Sequence, residues 1–502
     1  MNVHMPIHEN PALNGANAPV DREIVATELP VIGELPKDLN GVYVRNGPNA
    51  RFAPDWRYHA YDGDGMLHAL RFENGKASYR NRWVRTAAMI EEQAAGHPLW
   101  KGLKEPPRRD RPDQPYKNTA NTDVKFHNGK LIAMWYQSGL PYHVDIDTLE
   151  TIGPADYDGA ITRISAHSRP DEHTGELLYF DYFKEAPYMK CGVIGADGKR
   201  KTEIPIRLPG ARLPHDMAVT DKYTILHDFP LFQDAEAARH GRYKVKFHRE
   251  MPSRFAVVPR HGAEHEIKWF EAKPGYMLHV VNAWDDGDEV VMVGTPYRVH
   301  AGADGGLDAE RLQQTIRLRQ RDFQLYEWRF NLKTGGTSER VIDDVLNTEF
   351  PVINSAYQGR KNRYSYNVLF PQGGREEPRF PVGSPPVSTR SSSRGNHPMA
   401  RDNEAHRIGR AGTGDRSRRL GLADGRGHIG ISAGLAIGNA LQGSPHLPLK
   451  GRCLHVDGQV ERRRRSAQVL QDGLHPVRPR LLIGADLGRR ILASQVADQR
   501  RF

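Results

Sequence analysis

The stretch GKLIAMWYQSGLPYHVDIDTLETIG, residues 129–153, reads as strand, turn, strand, turn. Short apolar runs are separated by Gly, Pro, Ser and Asp, the residues that supply turn geometry. Working outward, the same rhythm returns in GELLYFDYF (175–183) and MKCGVIGADGKRKTEIPI (189–206). DKYTILHDFP (221–230) with RFAVVPRHGAEHEIKWFEA (254–272), and DEVVMVGTPY (288–297) with FQLYEWRFNLKTGGTSERVI (323–342), carry it further. Strands of about five to eight residues recur in units of roughly 45 to 60 residues, which fits a four-stranded blade. Helical pattern is scarce. AAMIEEQAAG (87–96) and FQDAEAARHG (232–241) are the best short helices, and both read as insertions between strands. The expected class is all-β, a β-propeller over residues 21–373. Two stacked β-sandwiches are the alternative.

Composition agrees with this class. The chain has 502 residues with 48 Gly and 35 Pro, which favours turns over long helices. No run of 18 apolar residues exists, so no membrane span is expected. The start, MNVHMPIHENPALNGANAPV, lacks the basic and apolar regions of a signal peptide and reads as a flexible arm over residues 1–20. Cys191 and Cys453 are the two cysteines, too few for a disulfide framework. A cytoplasmic location is the default expectation.

The net charge of +10 suggests a polyanionic partner at first sight. It is unevenly placed. Residues 374–502 hold 22 Arg and 1 Lys against 11 acidic residues, whereas residues 1–373 net −2. No nucleic acid is therefore expected to bind the main domain. The tail also lacks Tyr and Trp: the last of each is Tyr366 and Trp328. ERRRRSA (461–467) is a charge run, and a polyanion-binding arm is one reading of it. Arg without Lys, and no Tyr or Trp, is what a GC-rich gene gives when read out of frame. That second reading is preferred, so residues 374–502 are expected to be an aberrant, poorly ordered tail on an incomplete propeller.

Three histidines are similarly placed. His167 lies in TRISAHSRPDEHTGELLYFDY, His215 in LPHDMAVTDKYTIL and His279 in GYMLHVVNAWDDGDEVVMV. Each stands where a strand begins, about one repeat from the next. Equivalent points on successive blades converge on a propeller's axis, so three imidazoles there would hold one metal ion. Imidazole nitrogen suits Fe, Zn and Cu. Each ring must be neutral to donate its lone pair, and an acceptor should hold its other N–H. Glu349, an acid beside the apolar run of NTEFPVINSAYQ, is a candidate acceptor. With 23 His in the chain, chance placement is the competing explanation.

Other signals are weaker. YDGDGMLHAL (61–70) packs Asp and Gly into a tight turn, which turn chemistry alone explains. HAGADGGLDAE (300–310) is glycine-rich, yet no phosphate loop follows. His215 and Asp216 are adjacent and would point to opposite faces of a strand, so they do not form a dyad. No Gly-x-Ser-x-Gly nucleophile elbow appears.

GVYVRNGPNARF (41–52), YHAYDGDGMLHALRFENGKASYRNRWVRT (58–86) and NTANTDVKFHNGKLIAM (118–134) resemble the carotenoid cleavage oxygenase family. ISAHSRPDEHTGELLYFDY, PHDMAVTDKYTILHDFPL, LHVVNAWDDGDEVVMV and TEFPVI continue the resemblance, which covers about residues 20–373 and is nearest to the bacterial lignostilbene dioxygenases. It implies a seven-bladed propeller with a helical cap and one non-haem ferrous ion held by four histidines. His167, His215 and His279 fit the first three ligands, and Glu349 fits one of the glutamates that orient them. Two departures stand out. The segment MWYQSG (134–139) has Tyr136 or Gln137 where another orienting glutamate belongs, and Trp135 where stilbene cleavers carry a lysine. The family's terminal histidine has no match after residue 373. The tail histidines His428, His446, His455 and His475 lack its context, and the fourth ligand is unknown.

The implied reaction inserts both atoms of O2 across a conjugated C=C bond of an apolar alkene, a stilbenoid or apocarotenoid, giving two carbonyl products. Tyr61, Trp135 and Tyr136 are the expected pocket walls. A non-catalytic propeller scaffold and a metal-dependent hydrolase on a propeller are the alternatives.

Overall fold

Asn74-Gly75 and Asn128-Gly129 each close a two-residue hairpin, with φ of 51° and 75° in the first and 51° and 77° in the second. Positive φ at both central residues is the type I′ turn, whose twist matches that of the flanking strands. Both turns carry the sequence Asn-Gly-Lys. The computed structural model describes residues 10, 13–14, 18–54, 56–233, 236, 245–299, 322–370 and 388–390.

The strands form five four-stranded antiparallel sheets, one three-stranded sheet and a small hairpin. In chain order, the sheets begin with the strands Gly41–Asn49 (preceded by the short edge strand Val25–Ala26), Asp123–His127, Arg169–Pro170, Ala218–Val219, Met277–Asp286 and Thr348–Val352. These first strands are the inner ones. Gly41–Asn49 contacts Asp123–His127, which contacts Arg169–Pro170; Ala218–Val219 contacts Met277–Asp286, which contacts Thr348–Val352. Later strands run outward, so Met277–Asp286 is almost wholly buried while the fourth strand of its sheet, Thr337–Asp343, is polar and half exposed.

Each sheet packs face to face on the next, and the period-2 alternation of strands explains how. In Lys130–Met134, Leu131 and Ala133 join the core shared with the first sheet, while Ile132 and Met134 join the core shared with the third. In Leu177–Tyr182, Leu177 and Tyr179 face back, and Leu178 and Phe180 face forward. Burial on both faces is why these strands read as continuous apolar runs rather than as alternating ones. The largest core joins Phe255 and Phe270 of the fourth sheet to Met292 and Phe330 of the fifth.

The architecture is that of the expected propeller. Six blade-like sheets occur among the described residues, and the seventh blade has no counterpart among them. The helix Ala87–Ala95 forms as expected, with the Thr86 side chain accepting from Met89 N and Gly96 closing the helix at φ 74°. The second expected helix needs correction. Phe232 and Gln233 belong to a strand, Leu231–Gln233, paired with Val245–Phe247. Of the rest of that stretch, only Glu236 is described, and it is helical. The strand wins at its start because Leu231 buries against Phe247 in the core of the fourth and fifth sheets. The glycine-rich stretch 300–310 and the tail beyond residue 390 lie outside the described residues.

Candidate metal centre

His279 sits within the inner strand Met277–Asp286, where the ladder slips between Met277 and Val280 and again between Val280 and Asn282. Such bulges bend a strand and re-aim a side chain. His167 sits on a turn before Arg169–Pro170 at φ 66°, a left-handed conformation that a non-glycine residue adopts only when its surroundings impose it. His215 occupies an irregular segment three residues ahead of Ala218–Val219. Three unrelated local devices thus deliver three imidazoles to one place.

The three rings meet in one buried cluster. Their centroids are 4.9 Å (His167–His215), 5.2 Å (His167–His279) and 5.1 Å (His215–His279) apart. One nitrogen from each lies within 4.8 Å of the others, and all three side chains are buried. The Nε2 atoms of all three have no hydrogen-bond partner among the described residues. Buried polar atoms are nearly always paired, so three converging orphans mark a place for a ligand.

The opposite ring nitrogens explain the tautomers. His279 Nδ1 lies 2.8 Å from both Glu349 oxygens, and Glu349 also accepts from Thr295 Oγ1 at 3.1 Å and from Phe350 N. A carboxylate only accepts, so Nδ1 carries the proton and Nε2 presents its lone pair to the cluster. Burial works against the charge on His279, but the Glu349 carboxylate outweighs it and raises the pKa. His167 Nδ1 lies 3.2 Å from Asp123 Oδ2. Burial there dominates and lowers the imidazole's pKa, despite the pull of Asp123 and Asp216.

Asp123 was missed in the sequence. It takes, for His167, the holding part that Glu349 takes for His279. Its carboxylate is also 2.9 Å from the Lys125 ammonium. Burial pushes the acid up, and Lys125 and His167 together pull it well below the usual carboxylate range. The signal was present: Asp123 and Lys125 stand two apart on one strand face, an odd pair to bury unless each serves the other.

Asp216 does not form a dyad with His215, as expected, and its actual part is larger. Its two oxygens lie 2.7 Å from one Arg169 nitrogen. They also accept from Met217 N at 2.7 Å and from Val280 N at 2.8 Å. Arg169 is two residues beyond His167, and Val280 is next to His279. One buried carboxylate therefore fastens all three histidine-bearing segments together. Burial would raise its pKa, but Arg169, His167 and His279 hold it far below the usual range.

The expected pocket residues lie beside this centre. Tyr61 and Trp135 line a cleft together with Trp56, Trp100, Tyr116 and Lys117. Tyr136 stands between the cleft and the histidines: its ring is 5.3 Å from Tyr61 and 6.4 Å from His215. Gln137 donates to the Tyr136 hydroxyl at 2.8 Å. The cluster contains three histidines among the described residues, and no fourth is among them.

A propeller that brings three buried imidazoles together, two of them backed by carboxylates, has the build of a metal-binding centre. Comparison with known proteins fixes the family. The family model described as retinal pigment epithelial membrane protein matches residues 17–384. Carotenoid 9,10(9′,10′)-cleavage dioxygenase of Crocus sativus is 34% identical over 382 residues, covering 71% of this chain and 68% of that protein. Carotenoid cleavage oxygenase of Mycobacterium tuberculosis is 31% identical over 415 residues, covering 72% and 77%. Among solved structures, Pseudomonas brassicacearum lignostilbene dioxygenase is similar at TM-score 0.63 and 28% identity, covering 74% of this chain and 78% of that one. A cobalt-substituted Synechocystis apocarotenoid oxygenase is similar at TM-score 0.57 and 25% identity, covering 70% and 76%. The chain belongs to the carotenoid cleavage oxygenase family, and it is an enzyme of the dioxygenase class.

Proposed function

We propose that residues 21–373 form an Fe(II)-dependent dioxygenase that cleaves a conjugated C=C bond of a stilbenoid or apocarotenoid, with His167, His215 and His279 as iron ligands. The reaction balances without a further reductant: one alkene and one O2 give two carbonyl products. The observation that carries the reading is the convergence of three buried, unpartnered Nε2 atoms. The donor set fits the ion, because neutral imidazoles suit Fe(II) and carboxylates set the tautomers of His167 and His279 from behind. When bound, the metal supplies the activation of O2. The chain's own residues do the rest. Glu349 keeps the Nδ1 proton of His279 in place, and Asp123 does so for His167. Asp216 fixes the spacing of the three segments. Tyr61, Trp135 and Tyr136 present aromatic faces against which a flat conjugated alkene packs, and they limit water beside the histidines. No helix among the described residues is long and apolar enough to cross a membrane. With two cysteines in the whole chain, the cytoplasm is the proposed location.

The test uses the full-length chain loaded anaerobically with Fe(II). It should consume one O2 per alkene and place one atom of labelled oxygen in each carbonyl fragment. Equal turnover by a His215→Ala variant would remove the reading, and so would cleavage that proceeds without O2.

A further inference from the structure

The inner strand Met277–Asp286 pairs Met277 with Pro296 and Val280 with Gly294 of its neighbour Glu289–Pro296. Between those pairs, Leu278 and His279 stand opposite a single residue, Thr295. Two residues against one is the arrangement of a β-bulge, so Thr295 is the residue that faces the bulge carrying His279. Gly294 makes the close fit possible, since a Cβ there would overlap Met277 Sδ. Thr295 and Glu349 are both fully buried.

The Thr295 hydroxyl has one proton and two acceptors. Its Oγ1 lies 3.1 Å from the His279 carbonyl oxygen and 3.1 Å from Glu349 Oε1. A hydrogen bond to an ionised acceptor is stronger than one to a neutral acceptor, so the proton goes to the carboxylate. The other Glu349 oxygen accepts from Phe350 N. Phe350 itself is held at φ 57°, a left-handed conformation that a non-glycine residue takes only when its surroundings impose it.

These donors compete with His279 for one carboxylate. Both Glu349 oxygens lie 2.8 Å from His279 Nδ1. The harder the carboxylate pulls on the Nδ1 proton, the more electron density reaches Nε2 and the stronger a metal donor the ring becomes. Each further hydrogen bond to Glu349 lessens that pull. Behind His167 the same moderation is electrostatic: the Asp123 oxygen that faces the ring is also 2.9 Å from the Lys125 ammonium. No Lys or Arg among the described residues pairs with Glu349, so Thr295 and the Phe350 N–H take that part.

We propose that Thr295 is a positioning residue of the metal centre: its hydroxyl orients Glu349 and, by sharing that carboxylate, limits the donor strength of His279 toward Fe(II). The claim rests on the dioxygenase reading and deepens it. A weaker donor set favours Fe(II) over Fe(III), the oxidation state that reading requires.

Thr295→Val removes the proton donor and keeps the shape of the side chain. Full-length protein is loaded with iron anaerobically, and its Fe(III)/Fe(II) potential is read by a mediated redox titration. In the valine variant the preference for Fe(III) over Fe(II) should rise about tenfold, which lowers the potential by about 59 mV for one electron. Thr295→Ser, which keeps the hydroxyl, should restore the wild-type value. A merely structural role would weaken both oxidation states alike; an unchanged potential, or a higher one, overturns the proposal. Metal-free protein carrying isotope-labelled histidine gives a second reading. The His279 Nδ1 proton resonance should move downfield in the valine variant and return in the serine variant, and a resonance that stays in place overturns the proposal without reference to iron. Should the valine chain misfold on thermal melting, Thr295→Ala tests the same loss without placing a methyl against the carboxylate. A potential that responds as expected in a protein that cleaves no alkene leaves Thr295 its part and removes the dioxygenase reading.

Discussion

Asp216→Ala and Glu349→Gln should weaken iron binding in different ways. Removing Asp216 leaves the partly buried Arg169 guanidinium uncompensated, and it frees three segments at once. The expected cost is about 3–5 kcal/mol of unfolding free energy, with loss of iron as a consequence of loosened geometry. Urea unfolding of the metal-free protein reads the first effect directly. Glu349→Gln keeps the volume and removes only the acceptor charge behind His279. Iron affinity should fall roughly 10- to 100-fold in a chelator competition while the melting temperature barely moves. Equal stability losses in the two variants would contradict this division of labour. The three histidines were legible at repeat spacing, and Glu349 as an acid beside an apolar run. Asp123 was legible only as half of an Asp–Lys pair on one strand face, because nothing in NTDVKF says that this face points toward His167, a loop 40-odd residues on. The fastening part of Asp216 was hidden for the same reason: its partners are Arg169 and Val280, each in another sheet.

At the scale of single elements, local chemistry and tertiary packing can be separated. Gly129 sits at φ 77° with open space where a Cβ would be, so Gly129→Ala isolates the backbone conformation. It should cost about 1–2 kcal/mol with no change in iron content, read by urea unfolding. The strand Tyr223–Asp228 gives a pH signature. Its His227 is buried against Phe229 and Phe255, with neither ring nitrogen partnered among the described residues. Burial lowers its pKa from the ordinary 6.5 to about 4. The unfolded chain then binds the proton first, so the stability tied to neutral His227 is present above pH 6.5 and lost as pH falls toward 4. The loss is on the order of 3 kcal/mol. His227→Leu should flatten the fall in unfolding free energy between pH 7 and pH 4.5. An unchanged slope would show that this ring is already solvated. The hairpins and apolar strands were read correctly because Asn-Gly turns and period-2 burial are local. FQDAEAARHG misled at its start because helix propensity in Ala and Glu competes with the burial of the strand Leu231–Gln233 against Val245–Phe247, and the tertiary contact prevails.

For the whole molecule, the composition changes near residue 373 and the family match ends at residue 384. The two agree closely enough for a proposal about the coding DNA: the segment after residue 373 is read out of frame. Sequencing the gene across the codons for residues 365–390 and translating the other two frames should recover a strand-rich continuation bearing a histidine. Recovery of tryptic peptides from residues 391–502 in the natural host would sink that proposal, since the tail would then be the true product. In the sheet containing Thr348–Val352, Tyr364–Leu369 and Ser388–Arg390, the Tyr364 and Tyr366 side chains are exposed among the described residues.

The strand rhythm, the turns, the uneven charge and the repeat spacing of the histidines are written in the chain, because each depends on a few neighbouring residues and on period-2 alternation. That His167, His215 and His279 share one point, and that Asp123 and Asp216 hold them there, follows from how the sheets pack. Convergence of residues 48 and 64 positions apart depends on how whole sheets pack around an axis. No local pattern encodes that geometry; the packing of neighbouring sheets against each other does.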